Sequence, residues 1–358
     1  MNRIKIILLL VSVLSSLLFT SCTGTKTKFT RYSLDLFDTV TTITGYETDQ
    51  ASFDRISGEI LDLLAEYHRL CNIYSSYDGM HNLYTLNEEK NGIRETMTAD
   101  HRLIDLLWYA KEMYTVTNGK LNIAMGSVLS LWHDCRTAAL NEPWNAALPD
   151  MDDLRRAADH TDISDLIIDR EKLTVYISDP EMTVDAGAVA KGYAVEMAAR
   201  MLEDRGISGY VINAGGNVRT VGSKPDGEKW IVGIENPDTE SKEPYLYYLA
   251  LSGEAVVTSG SYQRYYTVNG KDYHHIIDPD TLFPAEGYRS VSVICQNSAE
   301  GDALSTALFC MSYEEGLDLV KKMPDAEAVW IMTDGSRRMS SGFEGYLLPS
   351  SISENMPQ

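Results

Sequence analysis

The chain has 358 residues, of which 44% are hydrophobic and 23% charged, a composition that is typical of a globular protein and excludes general disorder. Its formal net charge of −21 at pH 7 disfavours binding to nucleic acid, because polyanions repel each other. A phosphate-rich ligand would therefore need either a local cluster of Lys and Arg or a divalent cation.

The first 21 residues predict an export signal. Arg3 and Lys5 precede an apolar run at 6–19 that is too short to serve as a permanent membrane-spanning helix. The small residues before Cys22 resemble the lipobox of bacterial lipoproteins, in which the cysteine is diacylated and becomes the new N-terminus, although Phe19 stands where Leu is usual. We expect an exported protein that is lipid-anchored through Cys22 to a bacterial membrane, on its periplasmic or extracytoplasmic side. A plain secreted protein is the alternative.

The rest of the chain predicts one folded unit. Residues 22–32 predict a short polar tether, 33–350 a folded domain and 351–358 a tail. Helical spacing of apolar residues occurs at 51–72, 99–116, 188–205 and 302–322, and short β-rich runs occur at 173–177, 211–212, 230–232, 245–251 and 291–294. Asn118-Gly119 predicts the end of the second helix. The pattern indicates a mixed α+β fold in a single compact domain.

Four further cysteines, Cys71, Cys135, Cys295 and Cys310, are widely spaced and form no CxxC pair, which disfavours a zinc site. In an oxidising compartment they allow one or two disulfides. Buried free thiols are the alternative.

A glycine turn runs from Asp185 to Lys191, after a strand-like segment at 182–184 and at the start of a predicted helix. Free backbone N–H groups at a helix start, with a lysine nearby, suit a pyrophosphate. The turn matches neither GxxxxGK[ST] nor GxGxxG. An ordinary strand-to-helix turn with Lys191 in solvent is therefore the alternative.

Asp302 and Thr306 are four residues apart near the start of a predicted helix, so they share one helix face. A carboxylate and a hydroxyl in that relation suit a hard cation such as Mg²⁺, which would keep water and phosphate oxygens as its other ligands. In the alternative, Asp302 caps the helix and Thr306 faces the core.

His274 and His275 lie in a strand-like run, so their side chains are expected on opposite faces and only one can face a given site. That histidine would suit a general base, and a hydrogen-bonded structural histidine is the alternative. The segment from Asn213 to Asn217, with two central glycines, predicts either a close backbone approach to a ligand or a tight turn.

Taken together, these clusters resemble the ApbE family of FAD:protein FMN transferases in their order and residue pattern, over nearly the whole chain after the signal. The matching segments are Tyr74 to Tyr77 with Leu86-Asn87, Thr117 to Asn122 with Trp132, Asp185 to Glu196, Asn213 to Gly216, Ser259 to Arg264, His275 to Leu282 and Gly301 to Phe309.

The resemblance implies that FAD lies in a cleft between the early helical part and the later glycine turns. It assigns the contacts with the flavin nucleotide to Phe37, Tyr77, Lys120, Leu121, Asn122, Asp185, Lys191 and Ile276. Magnesium would be held by the Ala188 carbonyl, Asp302 and Thr306, and His275 would lie near the reacting phosphate.

The chain departs from the family pattern at three positions. Asn82 stands where Glu is common, Asn122 where Asp is common and Leu282 where Gly is usual. Because a neutral amide cannot act as a base, we expect Asn82 and Asn122 to hold ligand rather than to take part in chemistry.

The resemblance implies a magnesium-dependent enzyme that transfers FMN from FAD to a Thr or Ser hydroxyl of an acceptor protein through a phosphoester bond and releases AMP. His275, Lys191 and Asp302 form the predicted catalytic set. Acceptors would carry a D-G-x-T-G-A-[ST]-like motif in subunits of exported or membrane redox complexes. The alternatives are a magnesium-dependent FAD pyrophosphatase that yields FMN and AMP, and a non-catalytic FAD-binding lipoprotein.

Overall fold

The structure is a computed structural model that describes residues 25–88 and 95–349. The predicted signal at 1–21, the predicted lipidation site Cys22 and the predicted tail at 351–358 lie outside the described residues. The helices are α1 (Gln50–Leu70), α2 (Leu83–Asn87), α3 (His101–Val116), α4 (Gly126–Asn141), α5 (Met151–Ala158), α6 (Ala190–Asp204), α7 (Ser298–Phe309) and α8 (Tyr313–Val320).

The strands are β1 (Thr27–Leu36), β2 (Thr39–Glu47), β3 (Met97–Thr98), β4 (Leu166–Asp169), β5 (Thr174–Ile177), β6 (Tyr210–Ala214), β7 (Asn217–Val221), β8 (Trp230–Glu235), β9 (Tyr245–Leu251), β10 (Ala255–Gly260), β11 (Tyr265–Val268), β12 (Lys271–His274), β13 (Tyr288–Cys295), β14 (Glu327–Met332) and β15 (Arg337–Met339). Eight of them form one sheet in the order β1-β2-β6-β7-β10-β13-β14-β15, with every neighbouring pair antiparallel.

The large sheet is covered on both faces. Helices α1, α6 and α7 pack on one face and share the main apolar core with it. The β8–β9 hairpin packs on the other face, where Leu249 and Leu251 meet Val256 and Ile294 of the sheet. Strand β13 is consequently buried on both sides, which explains why its sequence is nearly continuous in apolar and small residues rather than alternating.

A smaller unit is built around Trp132 of α4. Its ring lies 6.1 Å from that of Tyr273 and 5.2 Å from that of Phe283, and its indole N–H donates to the Leu282 carbonyl at 2.9 Å. Helices α4 and α5 thereby pack against the β11–β12 hairpin. This unit forms one wall of the cleft described below.

The predicted α+β fold is confirmed, and the helices expected at 51–72 and 99–116 correspond to α1 and α3. Asn118 and Gly119 end α3 with φ angles of 51° and 81°, in the left-handed region. All five predicted strand runs lie within or overlap observed strands.

Several boundaries were wrong. The tether predicted at 22–32 is too long, because β1 already begins at Thr27 and pairs with β2. The helix predicted at 302–322 is two helices, since α7 ends at Phe309 and a Ser312–Glu315 capping box starts α8. Residues 182–184 form no strand; Thr183 makes a single β-bridge with Met125.

The four cysteines that the structure describes are free thiols, and no disulfide joins any of them. The interpretation as buried free thiols holds for Cys295 and Cys310, whereas Cys71 and Cys135 are partly exposed. Within residues 25–88 and 95–349, no helix combines the length and the apolar character that crossing a bilayer requires.

Helices α6 and α7 cross in direct backbone contact at Gly192. A Cβ atom added there would lie 2.4 Å from both the Asp302 Cβ and the Ser298 carbonyl oxygen. Only glycine therefore allows this approach, in which the Gly192 N–H donates to Asp302 Oδ2 at 2.8 Å.

We expect the Gly192→Ala substitution to lower the free energy of unfolding by about 1–3 kcal/mol, because the added methyl group forces the two helices apart. Gly58→Ala is the matched control. Gly58 lies inside α1, and a Cβ atom added there would meet only the Arg31 guanidinium, at 3.7 Å, so alanine should stabilise by about 0.5–1 kcal/mol. Urea unfolding of both variants measures the difference, and equal stability of Gly192→Ala and wild type would contradict the close crossing.

Candidate active site

A cleft of about 740 Å³ lies where the large sheet, the start of α6, α7 and the Trp132 unit meet. Ten of the twelve site residues predicted within the described chain line it: Lys120, Leu121, Asn122, Asp185, Ala188, Lys191, His275, Ile276, Asp302 and Thr306. Residues that are more than 180 positions apart in sequence thus share one cavity of a size that is ordinary for a small-molecule site.

Oxygen donors from two chain segments meet at the crossing of α6 and α7. Asp302 and Thr306 lie one turn apart on α7 and line the cleft together with Ala188. The Gly192 N–H is one of the first-turn donors of α6, which have no partner within the helix, and it donates to Asp302. Asn297, not Asp302, caps α7, so the capping alternative for Asp302 was wrong.

The Asp302 carboxyl group is 3% exposed. Burial raises its pKa, whereas the Lys191 charge, the Gly192 N–H and the Asn217 amide oppose that rise. Lys191 Nζ lies 3.8 Å from Asp302 Oδ1, and a quarter of its side chain stays exposed. Lys191 is therefore not held in a tight ion pair and can also reach a second anion in the cleft.

The two adjacent histidines have different roles in the structure. His274 donates from Nε2 to the Ala285 carbonyl at 2.8 Å and accepts the Ile276 N–H at Nδ1, so both ring nitrogens are used. His275 has Nδ1 3.2 Å from the Arg264 carbonyl, and because a carbonyl can only accept, that nitrogen carries the proton. The neutral ring then has its lone pair on Nε2, which is the form that a base requires.

The environment of His275 also keeps its ring neutral. Desolvation by the walls of the cleft lowers the pKa of His275 to about 4. The hydrogen bond to the Arg264 carbonyl opposes this fall, whereas the charges of Arg264 and Lys191 add to it. The side chain still has solvent access, so an incoming molecule can reach Nε2.

Lys120 belongs to a second charged group in the cleft. Its Nζ lies 2.7 Å from Asp278 Oδ1 and 2.9 Å from Asp280 Oδ2. Burial alone would lower the pKa of Lys120, but the two carboxylates raise it above its ordinary value. Next to it, the Asn122 amide donates to the Thr161 carbonyl and accepts the Ala124 N–H, which fixes this loop.

The segment from Asn213 to Asn217 is the tight turn of the β6–β7 hairpin and also lines the cleft. Gly215 and Gly216 have φ angles of 56° and 90°, and a Cβ at Gly215 would collide with the Thr39 side chain. The interpretation as a tight turn is confirmed. The turn also brings its backbone to the cleft, and its close approach to a ligand stays a prediction.

With this geometry established, sequence comparison gives the family. The model of the ApbE family matches residues 37–330, which is most of the chain. The chain belongs to the ApbE family.

Two relatives with the name FAD:protein FMN transferase support the match. One, from Klebsiella pneumoniae (strain 342), is 30% identical over 249 residues, which is 69% of this chain and 74% of that protein. The other, from Treponema pallidum (strain Nichols), is 31% identical over 260 residues, covering 69% and 70%.

Solved structures agree in fold. The ApbE protein of Thermotoga maritima superposes with a TM-score of 0.77 at 25% identity, over 90% of this chain and 100% of that one. The flavin transferase ApbE of Vibrio cholerae superposes with a TM-score of 0.72 at 23% identity, over the same shares. At 23% identity, the similarity to the Vibrio cholerae structure supports the fold alone.

Two contacts implied by the ApbE resemblance do not line the cleft. The Phe37 N–H donates to His68 Nδ1 at 3.1 Å, and the Tyr77 hydroxyl accepts from the Asn72 amide at 3.1 Å. Their neighbours Asp38 and Tyr74 line the cleft instead. The assignments of Phe37 and Tyr77 to flavin nucleotide stay predictions.

The ApbE departures at Asn82 and Leu282 have structural explanations. Asn82 is fully buried, caps α2 and donates to the Arg69 and Ser75 carbonyls, so the expectation that it holds ligand was wrong. Leu282 has a φ angle of 62°, a conformation that glycine adopts without cost, which explains why glycine is usual in the family.

The cleft also contains residues to which the sequence analysis assigned no role, although Tyr74 begins one of the segments matched with the ApbE family. Tyr74 and His133 pair across it, with ring centres 5.2 Å apart and the hydroxyl 3.3 Å from His133 Nδ1. On α4, Leu129, His133 and Arg136 line the same wall. Their spacing of four and three residues is the one signal that could have identified this helix face.

We expect His275 and His160 to titrate on opposite sides of pH 6.5, the approximate value for a free histidine. The Asp179 hydrogen bond raises the pKa of His160, whereas burial lowers that of His275. Lowering the pH from about 6.5 towards 4 should therefore cost folding free energy at His275, because only the unfolded chain takes up that proton freely.

NMR titration of the imidazole signals, assigned with His275→Gln and His160→Gln, measures both values. A His275 signal that titrates at or above pH 6.5 would contradict the neutral ring.

Proposed function

We propose that this protein is an FAD:protein FMN transferase, which transfers FMN from FAD to a Thr or Ser hydroxyl of an acceptor protein and releases AMP. The observation that carries the proposal is the meeting of Lys191, Asp302, Thr306 and His275 in one cleft of an ApbE-family chain. The names of the relatives from Klebsiella pneumoniae and Treponema pallidum support the same activity.

The donor set fits a magnesium ion. Asp302 offers a carboxylate, Thr306 a hydroxyl and Ala188 a carbonyl, all hard oxygen donors of the kind that Mg²⁺ prefers. Among the described residues, no group of three His, Cys, Asp or Glu side chains could hold a metal without further ligands. The site formed by Ala188, Asp302 and Thr306 therefore needs water or phosphate oxygens as further ligands, which fits an ion that binds together with the nucleotide.

When bound, magnesium would neutralise charge on the diphosphate of FAD. Lys191 adds a second positive charge beside the same anion and helps to stabilise the AMP leaving group. The acceptor hydroxyl gives its proton to Nε2 of His275, and its oxygen forms a bond to the flavin-side phosphorus. The bond from that phosphorus to the bridging oxygen breaks, and AMP leaves.

The same cleft could use water as the nucleophile, because His275 is reached by solvent. The protein would then act as an FAD pyrophosphatase that yields FMN and AMP. A non-catalytic FAD carrier would retain FAD with no AMP release and with binding that does not depend on magnesium. The acceptors we propose are subunits of exported or membrane redox complexes with a D-G-x-T-G-A-[ST]-like motif.

We expect residues 23–358 to add the mass of FMN to an acceptor domain with that motif and to release one AMP per modification, when FAD and Mg²⁺ are present. Asp302→Asn should lower the rate by about 10²-fold or more, because it removes the carboxylate from the proposed metal site without changing the shape of the side chain. Mass spectrometry and an AMP assay measure both products.

Asp318→Asn is the matched control, since Asp318 is an exposed carboxylate of α8 that does not line the cleft. It should keep wild-type rates. Production of AMP and free FMN without a modified acceptor would favour the pyrophosphatase function. Binding of FAD without AMP release at any magnesium concentration would leave the non-catalytic FAD carrier as the only function consistent with the result.

We also propose that the protein is exported and lipid-anchored through Cys22. The basic and apolar signal and the small residues before Cys22 support this placement. We expect labelled palmitate to be incorporated into the wild-type protein in bacterial cells and not into Cys22→Ser. Cys71→Ser is the control and should keep the label, and a Cys22→Ser protein that stays acylated and membrane-bound would contradict the proposal.

A further inference from the structure

The cleft continues outwards along one face of α4. Leu129, His133 and Arg136 line the cleft, and Leu140 follows four residues later on the same helix face. The 3₁₀ turn Pro143–Asn145, which contains Trp144, comes directly after the helix and packs against it. We call Arg136, Leu140 and Trp144 the α4 rim.

Arg136 differs from the other cations of the cleft. Lys120 pairs with Asp278, Lys191 lies beside Asp302, and Arg264 donates to the carbonyls of Phe37 and Asp38. Within the described part of the chain, Arg136 has no ion pair or hydrogen bond, and its Nε atom is buried without a partner. In a chain with 52 acidic and 31 basic residues, a guanidinium without a carboxylate partner is expected to have one in a complex.

The other two residues of the rim are apolar and exposed. Leu140 is 59% exposed and Trp144 is 84% exposed. Single exposed apolar residues are normal, but a leucine one helical turn from an unpaired arginine, followed by an exposed tryptophan, has the composition of a binding hot spot. Arg136 connects the rim to the cleft, which it lines and into which an acceptor side chain must enter.

Taking the proposed transferase activity as given, we propose that the α4 rim binds the acceptor protein. Arg136 forms an ion pair with an acidic side chain next to the modified hydroxyl, and Leu140 and Trp144 cover apolar residues of the acceptor. FAD phosphate is the other possible partner for Arg136. The arrangement favours the acceptor, because Lys191 and the α6–α7 crossing form the site proposed above for the diphosphate, whereas Arg136 lies on α4, one turn before the exposed Leu140.

The test measures steady-state transfer to an acceptor domain with Arg136→Gln and Trp144→Ser, and FAD affinity by fluorescence. We expect each substitution to raise the KM for the acceptor about tenfold while kcat changes less than twofold, because a contact that is lost equally in the ground and transition states affects binding alone. FAD affinity should stay within twofold of wild type. The matched controls are Arg155→Gln on α5 and the half-exposed Ile167→Ser on β4, neither of which lines the cleft.

A double-mutant cycle identifies the ion pair. Acidic residues within six positions of the modified hydroxyl, a window that includes the Asp of the proposed motif, are changed to amides one at a time. One of these changes should raise KM in wild type but not in Arg136→Gln. Unchanged KM for both rim variants would overturn the inference, and so would weaker FAD binding by Arg136→Gln. If the wild-type protein modifies no acceptor, the proposed transferase activity fails, which is a separate result.

Discussion

One hydrogen bond, from the Gly192 N–H to the buried Asp302 carboxylate, holds the cleft together. It exists because two helices from distant parts of the chain approach closely enough for the backbone of one to meet the side chain of the other. The same bond orients Asp302, satisfies a first-turn N–H of α6 and holds the carboxylate 3.8 Å from Lys191 Nζ. The position of Thr306 follows from the pitch of α7 alone, because it lies one turn after Asp302. The arrangement thus depends on the absence of a single methyl group at position 192.

The cleft reconciles an acidic chain with an anionic substrate. Lys120, Lys191, Arg136 and Arg264 all face it, although basic residues are a minority of the charged residues. Lys120 and Lys191 lie beside carboxylates, which partly neutralise their charges before any ligand enters, and Arg264 donates to backbone carbonyls. That arrangement gives a reason for a divalent cation, which adds positive charge without adding another buried side chain that must be kept paired when the site is empty.

Much of the fold and of the site could be predicted from the sequence, for reasons that differ between residues. Asp302 and Thr306 were recognisable because helical spacing puts them on one face, and the glycines of the Asn213 turn because only glycine tolerates their φ angles. His133 and Arg136 carried no motif, and their place in the cleft results from the packing of α4 around Trp132. Asn82 was misassigned because sequence position does not reveal burial, and the break before α8 because one apolar pattern runs through both helices.

The start of β1 at Thr27 has a consequence for where the protein can work. If Cys22 is acylated as proposed, five residue steps separate the lipid from the large sheet, and each extended step spans about 3.5 Å, or roughly 18 Å in total. This connection between Cys22 and Thr27 is shorter than the diameter of the folded domain. The active site would then reach only acceptors that lie within a thin layer above the bilayer. The distance of an acceptor from the membrane, as well as its binding to the enzyme, would decide whether it receives a flavin.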